Sequence, residues 1–248
     1  MGTRFIDDFN VLLLDMGNTF MFGCNRFGKD IDYSATYSRC GGAVLDVQAL
    51  WGVMDALLTR ILTDYRNPAS YDAFGTVEEY LRELPVAKTL PSEELEILER
   101  VFGEHEAGHI PRSHVRVLRE LNRSHVLGLV SNIWSNPSFF EAEFKKVGIL
   151  DLFTVIVWSS DYGFIKPSPR LFRVALDALE VAPEDVLFVG DNPKRDIAGA
   201  KAAGIKTAWL KNDMKPLSPA DPIPDCTISD LGELLTLEEN NCIRQSSQ

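Results

Sequence analysis

Val11-Leu12-Leu13-Leu14-Asp15-Met16-Gly17-Asn18-Thr19 is the stretch whose reading decides the fold. Four consecutive apolar residues run straight into an aspartate, and turn-forming residues follow at once. A short apolar run bounded by turn signals reads as a strand buried on both faces. Gly17 and Asn18 stop it, because both tolerate backbone angles through which a strand cannot continue. Asp15 is thereby placed at the carboxyl end of a central strand, the edge at which open α/β sheets bind their ligands. An aspartate that merely starts a turn is the simpler reading, and partners farther along the chain decide between the two.

Outward from this stretch, the texture of the chain divides in two. Phe20 to Gly42 has neither a helical nor a strand period and reads as a flap and loop. Asp46 is placed as an N-cap, and Val47, Leu50, Trp51, Met54, Leu57, Leu58, Ile61, Leu62 and Tyr65 then follow the spacing of one helical face. Asn67-Pro68 ends that helix. Thr76 and Glu79 form a capping box for a short helix to about Leu84. Pro91-Ser92 opens another helix, which Gly103 closes. From Arg112 onward strands and helices alternate. Val126–Val130 is a strand ending at Ser131-Asn132, Thr154–Trp158 is the next, Val186–Val189 runs into Gly190-Asp191, and Thr207–Leu210 is the last. Helices are expected around Val115–Leu121, Ser138–Val147, Arg170–Leu179 behind Ser168-Pro169, and Lys194–Ala203. Lys211–Pro224 carries four prolines and reads as a loop, and Asp230 caps a short helix through Leu235.

Strands alternating with helices imply βαβ units, a parallel sheet and right-handed crossovers. The fold class is therefore α/β, a doubly wound, Rossmann-like parallel sheet. Residues 1–22 and 112–237 form a discontinuous core, 23–111 an inserted helical cap, and 238–248 a polar, frayed tail. The formal net charge of −11 argues against a nucleic-acid surface, which needs a basic stripe. It also requires that an anionic substrate meet a locally positive site. Cys24, Cys40, Cys226 and Cys242 are scattered with no C-x-x-C pair, so free thiols in a reducing compartment are expected. The first residues lack a signal-peptide core and no run reaches transmembrane length. A cytoplasmic protein with no membrane partner is the expectation.

Several core strands end in a polar group of a different kind: Asp15, then Ser131-Asn132, then Lys166 in the loop beyond Trp158, then Gly190-Asp191 with Asp196 five residues on. Parallel strands bring these ends to one edge, so the groups are expected to converge in one crevice. Their order and types resemble the haloacid dehalogenase-like superfamily, whose pattern is Asp-x-Asp-x-Thr after the first strand, then Ser or Thr, Lys, and Gly-Asp-x-x-x-x-Asp. The inserted block resembles the helical cap of many members. By this resemblance Asp15 is the nucleophile, forming an aspartyl-phosphate. Ser131, helped by Asn132, and Lys166 bind the transferring group. Asp191 and Asp196 hold Mg²⁺ together with Asp15 and the Gly17 carbonyl. Thr19 and Arg26 are further candidates for binding substrate. The activity implied is hydrolysis of a small phosphorylated metabolite. A carboxylate nucleophile splits such a hydrolysis into two easier displacements, while Mg²⁺ and a lysine neutralise the phosphoryl oxygens.

One position departs from the family pattern. Gly17 stands where the family's phosphatases carry a second aspartate, which protonates the leaving oxygen and later activates water. General acid–base catalysis contributes about 10²–10⁴-fold, so ordinary alkyl phosphates are expected to be poor substrates. Relatives that cleave carbon–halogen or carbon–phosphorus bonds also lack that aspartate, and a silent binding module that keeps the metal site is a further alternative. The intact Gly190-Asp191 to Asp196 motif weighs against a dehalogenase, which needs no metal.

Residues 105–109 read His-Glu-Ala-Gly-His, a literal match to a zinc-protease signature. Gly103, Gly108 and Pro111 interrupt any helix there, and the run reads as a surface accident in a connecting segment. Phe20, Phe22, Arg26, Phe27 and Lys29 follow Asp15 and could wall the site, though packing beneath the cap is the simpler role for the aromatics.

Overall fold

The structure is a computed structural model and describes residues 3–211 and 217–238. Six strands, β1 (Val11–Leu14), β2 (Val126–Ser131), β3 (Phe153–Trp158), β4 (Val186–Gly190), β5 (Lys206–Leu210) and β6 (Cys226–Ile228), form one sheet. The order is β3-β2-β1-β4-β5-β6, and every pairing is parallel. β1 lies between β2 and β4, with Leu13 in register with Gly128 on one side and Phe188 on the other. Gly128 has no room for a side chain, since a Cβ there would meet Leu13 at 2.5 Å.

Between β1 and β2 the chain builds helices α1 (Ser34–Arg39), α2 (Val47–Arg66), α3 (Val77–Glu83) and α4 (Ser92–Glu106). Asp46 caps α2 by accepting from the Ala49 amide at 2.8 Å, and Thr76 and Glu79 close a reciprocal capping box on α3. The apolar faces of these helices gather, with Trp134 and Ile165, into a hydrophobic cluster of their own. The remaining helices, α5 (Arg112–Leu121), α6 (Ser138–Val147), α7 (Pro169–Leu179) and α8 (Ala198–Ala202), cover the sheet. Leu12 and Leu14 pack with α5 and α6, whereas Val11 and Leu13 pack with α7 and α8. The strand alternates as any strand does, but both faces are covered, so its sequence reads as one apolar run.

The linkers that leave and rejoin the sheet domain are paired antiparallel. Phe22 and His109 exchange two backbone hydrogen bonds of 2.8 Å, and the Arg26 amide donates to the His105 carbonyl at 2.8 Å. Beyond α2 the chain touches the loops at the carboxyl edge of the sheet. The Ile165 amide donates to Tyr71 O at 2.8 Å and the Val77 amide to Trp134 O at 3.0 Å.

Several expectations are corrected. Residues 34–39, expected in a loop, form α1. Gly103 does not end α4, which runs on to Glu106; the glycine answers to Phe139, which packs where a Cβ would stand. β6 has only three residues, too few to show a period, and is defined by its pairing with β5. The expected helix over 194–203 begins with a π-helical turn over Pro193–Ile197. Cys24 and Cys40 are free, but Cys226 is disulfide-bonded, since distance along a sequence does not limit which residues a fold brings together. Residues 212–216 of the proline-rich loop and 239–248 of the tail lie outside the described residues, and Glu238 bridges to Arg4. Among the described residues no helix is long and apolar enough to cross a membrane.

Candidate active site

Asp15 follows β1, with its amide donating to Val189 O at 2.8 Å, so the sheet itself fixes where its side chain begins. Ser131, the last residue of β2, donates its hydroxyl to Asp15 Oδ1 at 3.1 Å. Lys166 reaches the same oxygen at 2.6 Å and Asp196 Oδ1 at 2.7 Å. Its third donor goes to Val130 O at 3.0 Å, which satisfies an ammonium that is only 2% exposed. Burial alone would lower the Lys166 pKa, but the Asp15 and Asp196 carboxylates overcome it and hold the ammonium above the ordinary lysine range.

Asp196 shows the opposite balance. Burial, with the negative charge of Asp15 and Asp191, holds its carboxyl above the ordinary aspartate range despite Lys166. Its Oδ2 accepts from the Asn192 amide at 2.9 Å, and its side chain fills the space beside Gly190, where a Cβ would come within 2.6 Å of it. That close approach is why the Gly-Asp turn requires its glycine. Asp191 is buried, and its carbonyl accepts from Trp209 Nε1 at 3.1 Å. Asp15, Asp191 and Asp196 each offer a carboxylate oxygen, and these oxygens lie within 4.8 Å of one another. A buried set of hard oxygen donors is what a divalent ion such as Mg²⁺ requires, so the residues present fit such an ion.

Asn132 serves the scaffold as well as the cleft. Its Oδ1 accepts from the Lys166 amide at 2.8 Å, and its Nδ2 donates to Lys166 O at 3.2 Å and to the Tyr65 hydroxyl at 3.3 Å. Arg195 donates to Lys166 O at 2.6 Å and to Tyr65 O, and its guanidinium lies 3.9 Å above the Tyr65 ring.

Two expected site residues lie elsewhere. Thr19 is wholly buried and does not line the cleft. Asn18 adopts a positive φ of 56°, and the Thr19, Phe20 and Met21 amides all turn back onto Met16 O, which carries Thr19 into the interior. Arg26 also lies off the cleft, and its guanidinium donates to Gly23 O at 2.8 Å, to Ala107 O at 2.6 Å and to Glu104 O. The pairing of the linkers aims it at backbone carbonyls. Phe20 packs on Phe144 and Phe153, and Phe27 on Phe102.

The His-Glu-Ala-Gly-His run is not a surface accident: it spans the end of α4 and the linker that returns to the sheet, with His105 and Glu106 buried and His109 exposed. His105 bonds Arg26 O and the Thr36 hydroxyl, each at 3.1 Å. His109 lies beyond the end of α4, so the two histidines do not share a helical face. Glu106 lines the cleft and accepts from Trp134 N at 2.7 Å, Ser135 N at 2.8 Å and the Ser135 hydroxyl at 2.5 Å. Burial pushes its carboxyl up to about 7 against these bonds, which favour the charged form. Cys24 also faces the cleft, and burial beside Asp15 and Glu106 pushes its thiol up to about 12, which keeps it unreactive. Sequence reasoning misses Tyr65 and Arg195, neither of which stands in a spacing that signals a site, and it meets Glu106 only inside a zinc-protease signature that does not describe its place in the cleft.

A parallel sheet with an aspartate after its central strand, a hydroxyl, a lysine and an acidic pair at one edge defines a doubly wound hydrolytic site. Residues 65–210 match the haloacid dehalogenase-like hydrolase family. The chain is 32% identical over 193 residues to the phosphoserine phosphatase of Thermus thermophilus, covering 77% of this chain and 74% of that protein. It therefore belongs to the haloacid dehalogenase-like family and is a hydrolase. Two solved structures share the fold. The HAD-hydrolase YfnB of Bacillus subtilis bound to magnesium is 21% identical, with a TM-score of 0.57 over 91% of this chain and 96% of that one. A 2-haloacid dehalogenase from Pseudomonas syringae is 22% identical, with a TM-score of 0.59 over 92% of this chain and 98% of that one.

Proposed function

We propose that this hydrolase is a Mg²⁺-dependent phosphatase of a small phosphorylated metabolite, acting through an aspartyl-phosphate on Asp15. The observation that carries the reading is the convergence of Ser131 and Lys166 on one oxygen of Asp15 beside the acidic cluster. The Thermus relative, named for a phosphate monoester, supports the substrate class. The cavity of about 110 Å³ is below the ~300–1,000 Å³ typical of drug-sized ligands, which suits a phosphoryl group with a small body.

In this reading the Asp15 carboxylate attacks phosphorus, and the bond from phosphorus to the leaving oxygen breaks. Water then attacks the aspartyl-phosphate, releasing phosphate and restoring Asp15. Ser131 donates a hydrogen bond to the transferring group, and Lys166 offsets its charge while orienting Asp15. Asp15, Asp191, Asp196 and the Gly17 carbonyl would hold Mg²⁺, which when bound supplies further positive charge against the phosphoryl oxygens.

Purified protein with Mg²⁺ is expected to release phosphate from acetyl phosphate and p-nitrophenyl phosphate, and Asp15→Asn to bring release down to background. An inactive protein across a broad panel of phosphate esters with Mg²⁺ present would contradict the reading. Gly17 favours one second reading, cleavage of a carbon–halogen or carbon–phosphorus bond. Halide release from 2-haloacids without Mg²⁺ supports its dehalogenase form, and a strict Mg²⁺ requirement excludes that form.

A further inference from the structure

We infer that the Tyr65 hydroxyl hydrogen-bonds the leaving-group oxygen, stabilising there the charge that no side chain at Gly17 can meet. The assignment rests on the phosphatase reading above. Its first support is a proton count around Asn132. The Lys166 amide donates to Asn132 Oδ1 at 2.8 Å, and this fixes which end of the side-chain amide is oxygen. Nδ2 is thus the donor in its 3.3 Å contact with the Tyr65 hydroxyl. The hydroxyl accepts in that bond, so its own proton points elsewhere. Among the described residues it donates to no protein group.

The second support is that the phenol is held rigidly. Tyr65 sits at the last turn of α2, and its carbonyl accepts from Arg195. The Arg195 guanidinium covers the ring at 3.9 Å, and Trp134 and Phe74 meet it edge-on, with centroids 5.4 and 5.9 Å away. A donor fixed in place before reaction loses little on forming its bond in the transition state.

The third support is position. In-line displacement sets the leaving oxygen across phosphorus from Asp15. Asp15, Ser131, Lys166 and Asp196 all come from the sheet edge, whereas Cys24, Asn25, Tyr65 and Glu106 are contributed by the helical block and its linkers. Within that second set, the Cys24 thiol faces Met21 O at 3.8 Å, and both Glu106 oxygens are occupied by residues 134 and 135. Asn25 is exposed to solvent. Tyr65 is left as the half-buried donor.

Tyr65→Phe removes the hydroxyl alone and keeps the ring beneath Arg195, so thermal unfolding should be nearly unchanged. With Mg²⁺ present, kcat on an alkyl phosphate such as phosphoserine is expected to fall about 10- to 100-fold, as for one hydrogen bond to a developing charge. On p-nitrophenyl phosphate, whose leaving group needs little help, the fall should be under about 3-fold. In a Gly17→Asp background, which returns a proton carrier to the sheet-edge wall, the alkyl penalty of Tyr65→Phe should shrink. Equal effects on both ester classes, no effect on either, or the leaving-group-dependent loss arising in Asn25→Ala instead would overturn the assignment while the phosphatase reading stands. A wild-type protein that hydrolyses neither ester would remove both.

Discussion

The two walls of the cleft differ in how their polar groups are satisfied. On the sheet-edge wall, Asp15, Ser131, Lys166 and Asp196 bond to one another, and Lys166 is buried with all three donors taken up. On the wall built by the helical block and its linkers, Glu106 is closed off by the 134–135 loop while the Tyr65 hydroxyl retains a proton to give. The contrast teaches a division of labour. In the proposed reaction the sheet fixes the attacking carboxylate of Asp15, whose amide is paired in the strand register and whose Oδ1 accepts from Ser131 and Lys166. In the same proposal the helical block meets the leaving group, and its groups there are set by packing within a hydrophobic cluster of its own.

The largest test of this contrast is Gly17→Asp. A Cβ at Gly17 meets nothing within 4 Å, so the side chain enters open space in the cleft. It would place a proton carrier on the sheet-edge wall, and kcat on alkyl phosphates is expected to rise about 10²-fold, the lower end of general acid–base effects. Little change for p-nitrophenyl phosphate should accompany it. Steady-state kinetics on the two esters measures both.

A smaller effect is expected from pH at Glu106. Its carboxyl is raised from 4.5 to about 7 in the folded protein, so between these values the folded state binds the proton more tightly than the unfolded chain. Its contribution is therefore fully present below about pH 4.5, declines as pH rises toward 7, and is absent above that. A shift of this size corresponds to roughly 3 kcal/mol. The difference in urea-unfolding free energy between wild type and Glu106→Gln, taken across pH 4–8, should show that slope. A constant difference would place the Glu106 charge outside the folding equilibrium.

The smallest effect concerns Arg26, which belongs to neither wall. Arg26→Ala removes its hydrogen bonds to the paired linkers and should cost about 1 kcal/mol of stability, as for partly exposed bonds. The KM for phosphoserine is expected to change less than 2-fold. A large rise in KM would return Arg26 to the substrate.

Much of the sheet-edge wall is legible in the sequence. Leu12-Leu13-Leu14 and Val186–Val189 are covered on both faces, so each strand announces itself as an apolar run, and a polar residue at its end stands out. The opposite wall gives no such signal. Tyr65 continues the apolar face of α2 and reads as one more packing residue, while Arg195 follows the Gly190-Asp191 turn as one charge among several. Glu106 is masked by Gly103, which reads as a helix end but is a glycine because Phe139 leaves no room for a Cβ, and by a zinc-protease signature that points to the wrong chemistry. β6 escapes because three residues carry no period, and Thr19 misleads because the backbone turn after Asn18 carries it inward. Pattern reveals what regular structure places, and tertiary packing places the rest.

The central claim is that Asp15 is phosphorylated during turnover. Rapid acid quench of the protein turning over a phosphate ester radiolabelled at phosphorus, with Mg²⁺ present, followed by peptide mapping, tests it directly. The account predicts label on the peptide containing Asp15 and none in Asp15→Asn. Turnover with label on another residue, or with no protein-bound label under conditions that preserve acyl phosphates, would contradict it.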